Sequence, residues 1–135
     1  MMNVFIVDDS DLLRERLISM IAGIPQAKMI GYSDRHSGTI DKIEAAKPDV
    51  VILDVRLGDG SGIDLMIKLK EDENCPVIIM FTNYPIPQYK QRCLDAGADY
   101  FLDKSTGQTP LKGILQRLSE SMDSSAVAKE VKSYD

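Results

Sequence analysis

The sequence predicts an α/β fold in which helices cover both faces of a doubly wound parallel sheet. Short apolar runs of strand length alternate along the 135 residues with longer segments whose apolar residues recur every three or four positions. Glycine or proline separates many of these segments. Such alternation implies right-handed βαβ units and therefore a mostly parallel sheet. The length fits one domain with a single core.

The first two strand and helix pairs occupy the region before Pro48. A strand is predicted at residues 3–7, and the apolar face of the helix after it comprises Leu13, Leu17, Met20, Ile21 and Ile24. A short second strand is predicted at residues 28–32. The second helix has its apolar face at Ile40, Ile43 and Ala46. It must end before Pro48, because proline disfavours helical backbone in the residue before it.

The third strand is the apolar run at residues 50–53, which suits a strand buried on both faces and ends at Asp54. The glycines that follow, Gly58, Gly60 and Gly62, are expected to turn the chain sharply, since glycine accepts positive φ. A third helix then continues to about Glu73-Asn74. The fourth strand is predicted at residues 77–81, directly before Thr82-Asn83.

The last two helices differ in their apolar character. The fourth follows the break at residues 84–87, has a weak apolar face and ends at Gly97 as a C-terminal cap. A short fifth strand at residues 100–102 leads to Asp103-Lys104-Ser105. The fifth helix begins near Pro110 and has the clearest apolar stripe, at Leu111, Ile114, Leu115, Leu118 and Met122. Polar residues replace this stripe from Ser121 onward, which predicts a frayed helix end or a tail.

Composition argues against several classes of function. The 16 basic and 21 acidic residues give a net charge of −5, so we expect no direct binding to nucleic acid or to an anionic membrane surface. The first residues lack the basic region and the long apolar run of a signal peptide, which predicts a cytoplasmic protein. Cys75 and Cys93 are expected to be reduced thiols, and His36, the single histidine, is expected on a surface helix.

Polar residues follow the predicted strands at positions that can converge. The carboxyl ends of parallel strands share one edge of the sheet, where Asp8, Asp9, Asp54, Thr82 and Lys104 would meet. Neighbouring carboxylates repel by roughly 4 kcal/mol per pair at 4 Å with an effective dielectric near 20, so the site needs positive charge. Lys104 supplies one charge, and hard oxygen ligands favour Mg²⁺ for the rest. A carboxylate in such a site can attack phosphorus and form an aspartyl phosphate.

At these positions the sequence resembles the receiver domain of two-component response regulators, across roughly residues 3 to 121. The matching motifs are Val7-Asp8-Asp9-Ser10, Leu53-Asp54, Phe81-Thr82 and Asp103-Lys104-Ser105. The resemblance implies a five-stranded, flavodoxin-like sheet of strand order 2-1-3-4-5. The receiver domain would span residues 1–121, and residues 122–135 would form a C-terminal helix extension or tail.

The resemblance also implies a role for each site residue. Asp54 would accept the phosphoryl group, with Thr82 and Lys104 assisting. Asp9 and the backbone carbonyl of Arg56 would bind Mg²⁺ directly with Asp54, while Asp8 would act through water or orient the other ligands. Thr82 and Phe101 would form the switch pair, although Phe101 taken alone is more typical of a core aromatic residue on a short strand.

Two positions near the site vary within the resembled family, and a third departs from its pattern. Arg56 and Tyr84 occupy the variable positions that flank the path of the attacking water. Asn83 replaces the small residue that usually follows the threonine, and its side chain would narrow access to the acyl phosphate. We hypothesise that the bulky Arg56 and Tyr84 slow self-dephosphorylation and prolong the signal.

The leading interpretation is a phosphorylation-dependent binding switch rather than a turnover enzyme. A histidine kinase or phosphotransfer protein would supply the phosphoryl group, and the fourth helix, fifth strand and fifth helix would bind a downstream protein or a second copy. The chain would be a stand-alone regulator or the receiver part of a DNA-binding regulator. The alternatives are a Mg²⁺-dependent phosphohydrolase, although Arg56 occupies the place of the usual acid/base Asp, and a phosphorylation-independent scaffold.

Overall fold

Seven strands are present in the computed structural model, which describes residues 1–132 and the side chains of residues 1–122. They are β1 (Met2–Val7), β2 (Ala27–Ser33), β3 (Val50–Leu53), β4 (Arg56–Leu57), β5 (Gly60–Ser61), β6 (Val77–Thr82) and β7 (Tyr100–Asp103). Five of them form a parallel sheet in the order β2-β1-β3-β6-β7. Because β6 and β7 are the fourth and fifth predicted strands, this confirms the order 2-1-3-4-5. The sequence did not predict β4 and β5, a two-residue antiparallel hairpin after Asp54.

Among residues 1–132 there are five helices, of which the first four connect strands and the last follows β7: α1 (Asp11–Ala22), α2 (Thr39–Ala46), α3 (Gly62–Lys70), α4 (Pro87–Asp95) and α5 (Gln108–Lys132). Hydroxyl caps begin two of them, since Ser10 accepts a hydrogen bond from the backbone N–H of Leu13 and Ser61 from that of Ile63. Pro87 lies in the first turn of α4, where a missing N–H costs no hydrogen bond.

The predicted end of α3 near Glu73 was wrong, because the helix ends at Lys70. The next backbone N–H groups, of Glu71 and Asp72, bond to carbonyls three residues back, which tightens the chain into a turn. The expectation for His36 was also wrong, since this residue lies in the loop between β2 and α2.

Side chains of the central strands alternate between two buried clusters, one on each face of the sheet. Within β1, Phe5 and Val7 face the cluster covered by α2, α3 and α4, whereas Val4 and Ile6 face the cluster covered by α1 and α5. The same alternation holds in β3 and β6. Helices therefore cover both faces, and the polar residues that follow the strands lie at the sheet edge between the two layers.

The glycines after Asp54 are required for a different reason from the one predicted. None of Gly58, Gly60 and Gly62 has a positive φ. A Cβ on Gly62 would instead overlap the carbonyl oxygen of Asp54, and a Cβ on Gly60 would lie 2.8 Å from the His36 ring. Close approach to the Asp54 backbone at position 62 and to the His36 ring at position 60, rather than a left-handed turn, therefore favours glycine at these two positions. The predicted cap at Gly97 is confirmed, because this residue follows α4 with a φ of 105°.

The C-terminal boundary stays a prediction. Helix α5 continues beyond residue 121 to Lys132, so the proposed extension is helical as far as it is described. Residues 133–135 lie outside the described residues. Within the described part of the chain, no helix combines the length and apolarity needed to cross a membrane.

Candidate functional site

The site lies at the carboxyl edge of the sheet, where β1, β3, β6 and β7 end side by side. Asp8 and Asp9 follow β1, Asp54 follows β3, and Thr82 is the last residue of β6. The structure brings the three carboxylates together, with one oxygen of each within 4.8 Å of the others. Asp8 and Asp54 are buried, whereas Asp9 is exposed.

Lys104 joins the two buried carboxylates. Its Nζ lies 2.6 Å from Oδ2 of Asp8 and 2.8 Å from Oδ2 of Asp54, and its side chain is 8% exposed. The backbone N–H of Lys104 also donates to the carbonyl of Thr82, which extends the pairing of β6 with β7 to the lysine. The end of the sheet therefore sets where the ammonium group lies.

Burial and charge act in opposite directions on these groups. Burial raises the pKa of Asp8, and the nearby Asp54 adds to this, while Lys104 and the backbone N–H of Ser10 partly offset the shift. Burial lowers the pKa of Lys104, but hydrogen bonds to Asp54 and Asp8 outweigh it, so the net shift is upward. The lysine is therefore held in its charged form between two carboxylates.

The donor set fits a small divalent cation. Asp8, Asp9 and Asp54 supply hard carboxylate oxygens, the ligand type that Mg²⁺ prefers. Both oxygens of Asp8 already have donors, since Ser10 N–H bonds to Oδ1 and Lys104 to Oδ2. The exposed Asp9 carboxylate forms no hydrogen bond or ion pair with residues whose side chains are described. Asp9 is therefore the most accessible carboxylate of the set for a direct metal contact.

Thr82 and Phe101 lie on adjacent strands. The Thr82 hydroxyl is fully buried and accepts a hydrogen bond of 3.0 Å from the backbone N–H of Tyr84, which leaves the hydroxyl hydrogen to be donated. Phe101 pairs in register with Met80, and its half-buried ring packs against the cluster on the α2, α3 and α4 side. The predicted switch role of Phe101 stays a prediction.

Arg56 and Tyr84 contact each other above the site edge. The guanidinium carbon of Arg56 lies 4.5 Å from the centre of the Tyr84 ring, a cation–π arrangement. Its Nη2 also donates a hydrogen bond of 3.1 Å to the hydroxyl of Tyr89 on α4. Asn83, the third predicted rate-modulating residue, is exposed.

Sequence reasoning missed two residues that hold this arrangement together. Ser10 caps α1 and also orients Asp8 through its backbone N–H, a role that the Asp-Asp-Ser spacing could have indicated. Tyr89 bonds to Arg56 across 33 residues of sequence, and no local pattern indicates such a contact.

The arrangement can carry out phosphoryl chemistry. Asp54 is a buried carboxylate beside a fixed ammonium group, a hydroxyl donor and an oxygen-rich cation site. Phosphoryl transfer depends mainly on positioning and charge neutralisation, and these groups can provide both.

Comparison with known proteins agrees with this chemistry. Residues 4–116 match the family model described as response regulator receiver domain. The chain is 29% identical over 121 residues to the sensory transduction protein LytT of Enterococcus faecalis, covering 90% of this chain and 49% of that protein. It is 31% identical over 129 residues to a protein-glutamate methylesterase/protein-glutamine glutaminase of Bacillus subtilis, covering 95% of this chain and 36% of that protein. The chain thus spans about half or less of the length of these relatives.

Solved structures show the same fold. The signal receiver domain of a DNA-binding response regulator from Colwellia psychrerythraea superimposes with a TM-score of 0.81 at 21% sequence identity. The match covers 89% of this chain and 99% of that one.

Proposed function

The chain belongs to the response regulator receiver domain family, which serves phosphorylation-dependent two-component signalling, and we propose that Asp54 is its phosphoacceptor. The contact of Lys104 Nζ with both Asp54 and Asp8 carries this proposal. It supports Asp54 over Asp8 because Oδ1 of Asp8 accepts a short hydrogen bond of 2.8 Å from Ser10 N–H, whereas the contact of Asp54 Oδ1 with Arg56 N–H is longer, at 3.4 Å. It supports Asp54 over Asp9 because Asp9 is exposed and lacks the lysine contact.

The proposed reaction starts from a phosphohistidine of a histidine kinase or phosphotransfer protein. A carboxylate oxygen of Asp54 attacks phosphorus, the P–N bond breaks, and its electron pair stays on the imidazole nitrogen, which takes up a proton. Lys104 stays beside the acceptor and neutralises charge on the phosphoryl oxygens, while Thr82 donates its hydroxyl hydrogen to one of them. Asp54, Asp8, Asp9 and the Arg56 carbonyl would hold Mg²⁺, which supplies further positive charge.

The proposed output is a change in protein binding rather than catalytic turnover. The aspartyl phosphate carries about −1.5 to −2 charges in place of the single charge of the Asp54 carboxylate, so the site gains about −0.5 to −1. Thr82 would follow the new oxygens and Phe101 would fill the space behind it. Because Phe101 lies on β7 beside α4 and α5, this movement would alter the surface of α4, β7 and α5, where a downstream protein or a second copy would bind.

Mass spectrometry after incubation with acetyl phosphate and Mg²⁺ tests the acceptor. We expect one phosphate adduct in the wild type, no adduct in Asp54→Ala, and none when EDTA removes the metal. Asp64→Ala is the matched control, since Asp64 is an exposed carboxylate on α3, ten residues along the chain, and should leave the adduct intact. An adduct that persists in Asp54→Ala would refute the assignment. Rapid release of phosphate with no accumulated adduct would favour the phosphohydrolase, and neither adduct nor phosphate release would favour the scaffold.

We also propose that Arg56 and Tyr84 prolong the phosphorylated state. Their side chains contact each other and would flank an acyl phosphate on Asp54, where they would restrict the approach of water. The double variant Arg56→Ala, Tyr84→Ala should therefore lose its phosphate several-fold faster, measured as the decay of the adduct after removal of the donor. Asn83→Ala would show whether the exposed amide also limits access. An unchanged half-life in the double variant would contradict the proposal.

The full protein is proposed to be a cytoplasmic regulator, either this domain alone or this domain joined to an effector. The structural neighbour from Colwellia psychrerythraea belongs to a DNA-binding response regulator, and the Bacillus relative is a methylesterase. Both kinds of effector are therefore possible attachments, and a DNA-binding one agrees with the Phe-Leu-Asp-Lys-Ser sequence at residues 101–105. The coding sequence beyond residue 135 would distinguish these forms.

A further inference from the structure

The backbone places Arg56 and Tyr84 symmetrically about the site. Arg56 follows Asp54 by two residues, and its backbone N–H points to Oδ1 of Asp54 at 3.4 Å. Tyr84 follows Thr82 by two residues, and its backbone N–H bonds to the Thr82 hydroxyl at 3.0 Å. The side chains of the two residues then meet, with 4.5 Å between the guanidinium carbon and the ring centre. The contact between Arg56 and Tyr84 therefore bridges the loop after Asp54 and the loop after Thr82.

The contact with Tyr84 alone does not fix the position of the guanidinium group. Arg56 is exposed, and a long exposed arginine samples many rotamers unless several contacts restrict it. Tyr89 supplies the additional contact, because its hydroxyl accepts a hydrogen bond of 3.1 Å from Arg56 Nη2. The Tyr89 ring packs against the buried cluster beneath α4, so this acceptor is held by the core.

We propose that Tyr89 is a positioning residue that holds Arg56 over Tyr84 and thereby lengthens the lifetime of the aspartyl phosphate. The inference rests on the proposed function of Asp54. Tyr89 touches neither the acceptor nor the phosphoryl group and acts through Arg56 alone. Helix α4 therefore takes part in setting how long the phosphate persists, and a protein that binds α4 and displaces Tyr89 shortens that time.

A double-mutant cycle on the decay of the adduct tests this role. Tyr89→Phe removes the hydroxyl and keeps the ring, so packing is preserved while the hydrogen bond is lost. We expect the half-life to fall about two- to fourfold, the effect of losing one partly exposed hydrogen bond to a charged group. In an Arg56→Ala background, Tyr89→Phe should not change the half-life further, because Tyr89 is proposed to act only through the Arg56 side chain.

Tyr32→Phe is the matched control, because it removes the hydroxyl of a tyrosine that contacts a different arginine. The Tyr32 ring lies 4.0 Å from the guanidinium carbon of Arg14, between α1 and β2. Tyr32→Phe should leave the half-life unchanged. A second readout uses the unphosphorylated protein, in which the NMR order parameter of Arg56 Nε–Hε should fall in Tyr89→Phe and stay constant in Tyr32→Phe.

The outcomes separate this inference from the proposed function. No adduct at Asp54 in the wild type would overturn both. An adduct that forms normally but decays at the wild-type rate in Tyr89→Phe would overturn the inference and leave the acceptor assignment intact. Equal effects of Tyr89→Phe with and without Arg56 would show that Tyr89 acts by another route, and would also overturn it.

Discussion

The three carboxylates of the site differ in how they are neutralised. Asp8 and Asp54 are 3% and 5% exposed and share Lys104, so their charge is largely balanced inside the protein. Asp9 is exposed, and one of its carboxylate oxygens lies close enough to those of Asp8 and Asp54 for all three residues to bind one cation. Removing Asp9 should therefore affect metal binding with little effect on the fold.

Mg²⁺ should stabilise the protein, and Asp9→Asn should remove most of that effect. A metal that binds the folded state alone, at ten times its dissociation constant, adds about 1.4 kcal/mol to the free energy of unfolding. Thermal melts across a Mg²⁺ series against EDTA measure it. Asp11→Asn is the control, because it removes an equal charge two residues along the chain, at the start of α1, where Asp11 pairs with Arg14. Equal Mg²⁺ responses in wild type and Asp9→Asn would contradict the metal assignment.

The two cysteines should react at very different rates. Burial raises the pKa of Cys93 to about 11, despite the nearby Arg92, whereas Cys75 is partly exposed. At pH 8 only about one Cys93 in a thousand would be ionised, and the thiol is also inaccessible. An Ellman assay should therefore show one fast thiol per chain and a second only after denaturation. Cys75→Ser should abolish the fast phase; two equally fast thiols would show that α4 opens readily.

At the scale of elements, the hairpin of β4 and β5 determines how the chain returns from Asp54 to α3. The backbone N–H of Gly62 bonds to the carbonyl of Val55 at 2.7 Å, which brings the start of α3 against the strand end. Asp59 at the hairpin tip accepts hydrogen bonds from the backbone N–H groups of His36 and Ser37. The loop is therefore tied at both ends, and Asp54, the proposed acceptor, lies directly before this constrained segment.

Two glycine substitutions should have opposite effects on stability. Gly62→Ala would force its Cβ into the Asp54 carbonyl and should lower the free energy of unfolding by at least about 2 kcal/mol. Gly113 lies inside α5 with open space around it, so Gly113→Ala should raise the free energy of unfolding by about 0.5–1 kcal/mol. Urea denaturation measures both. A neutral Gly62→Ala would mean that the backbone near Asp54 adjusts without cost.

Periodicity predicted the larger elements well, because each buried strand or amphipathic helix carries its own pattern. The run at residues 50–53 became β3 without adjustment, and Gly97 closed α4 as expected. The hairpin was missed because two-residue strands have no measurable period. The need for glycine at position 62 was assigned to the wrong cause, since the clash with Asp54 depends on tertiary geometry.

At the scale of the whole molecule, the convergence of distant residues followed from topology. Once the strands were taken as parallel, their carboxyl ends had to share an edge, so Asp8, Asp54 and Lys104 could be placed together from sequence. The contacts between the site and the outer helices could not be predicted from the sequence. The contact between Arg56 and Tyr89 depends on the rotation of α4 about its axis, which a weak apolar face does not specify.

The net charge of the molecule predicts that residues 1–135 alone do not bind DNA. The chain has 16 basic against 21 acidic residues, and phosphorylation of a carboxylate already in that count would add about −0.5 to −1 more. Binding to DNA draws on phosphate contacts by clustered lysine and arginine, which release counterions. We therefore expect no mobility shift of a duplex at up to about 100 µM protein in 150 mM salt, with or without beryllofluoride as a phosphoryl mimic.

A salt series makes this result interpretable. A shift that appears at 20 mM salt and vanishes at 150 mM would be non-specific attraction and would leave the expectation intact. A sequence-selective shift at 150 mM salt would contradict it, because this domain would then read DNA itself. If the expectation holds, DNA binding by a longer form of the protein has to reside in added residues. The role of this domain in such a protein is then to change how those residues are presented or paired.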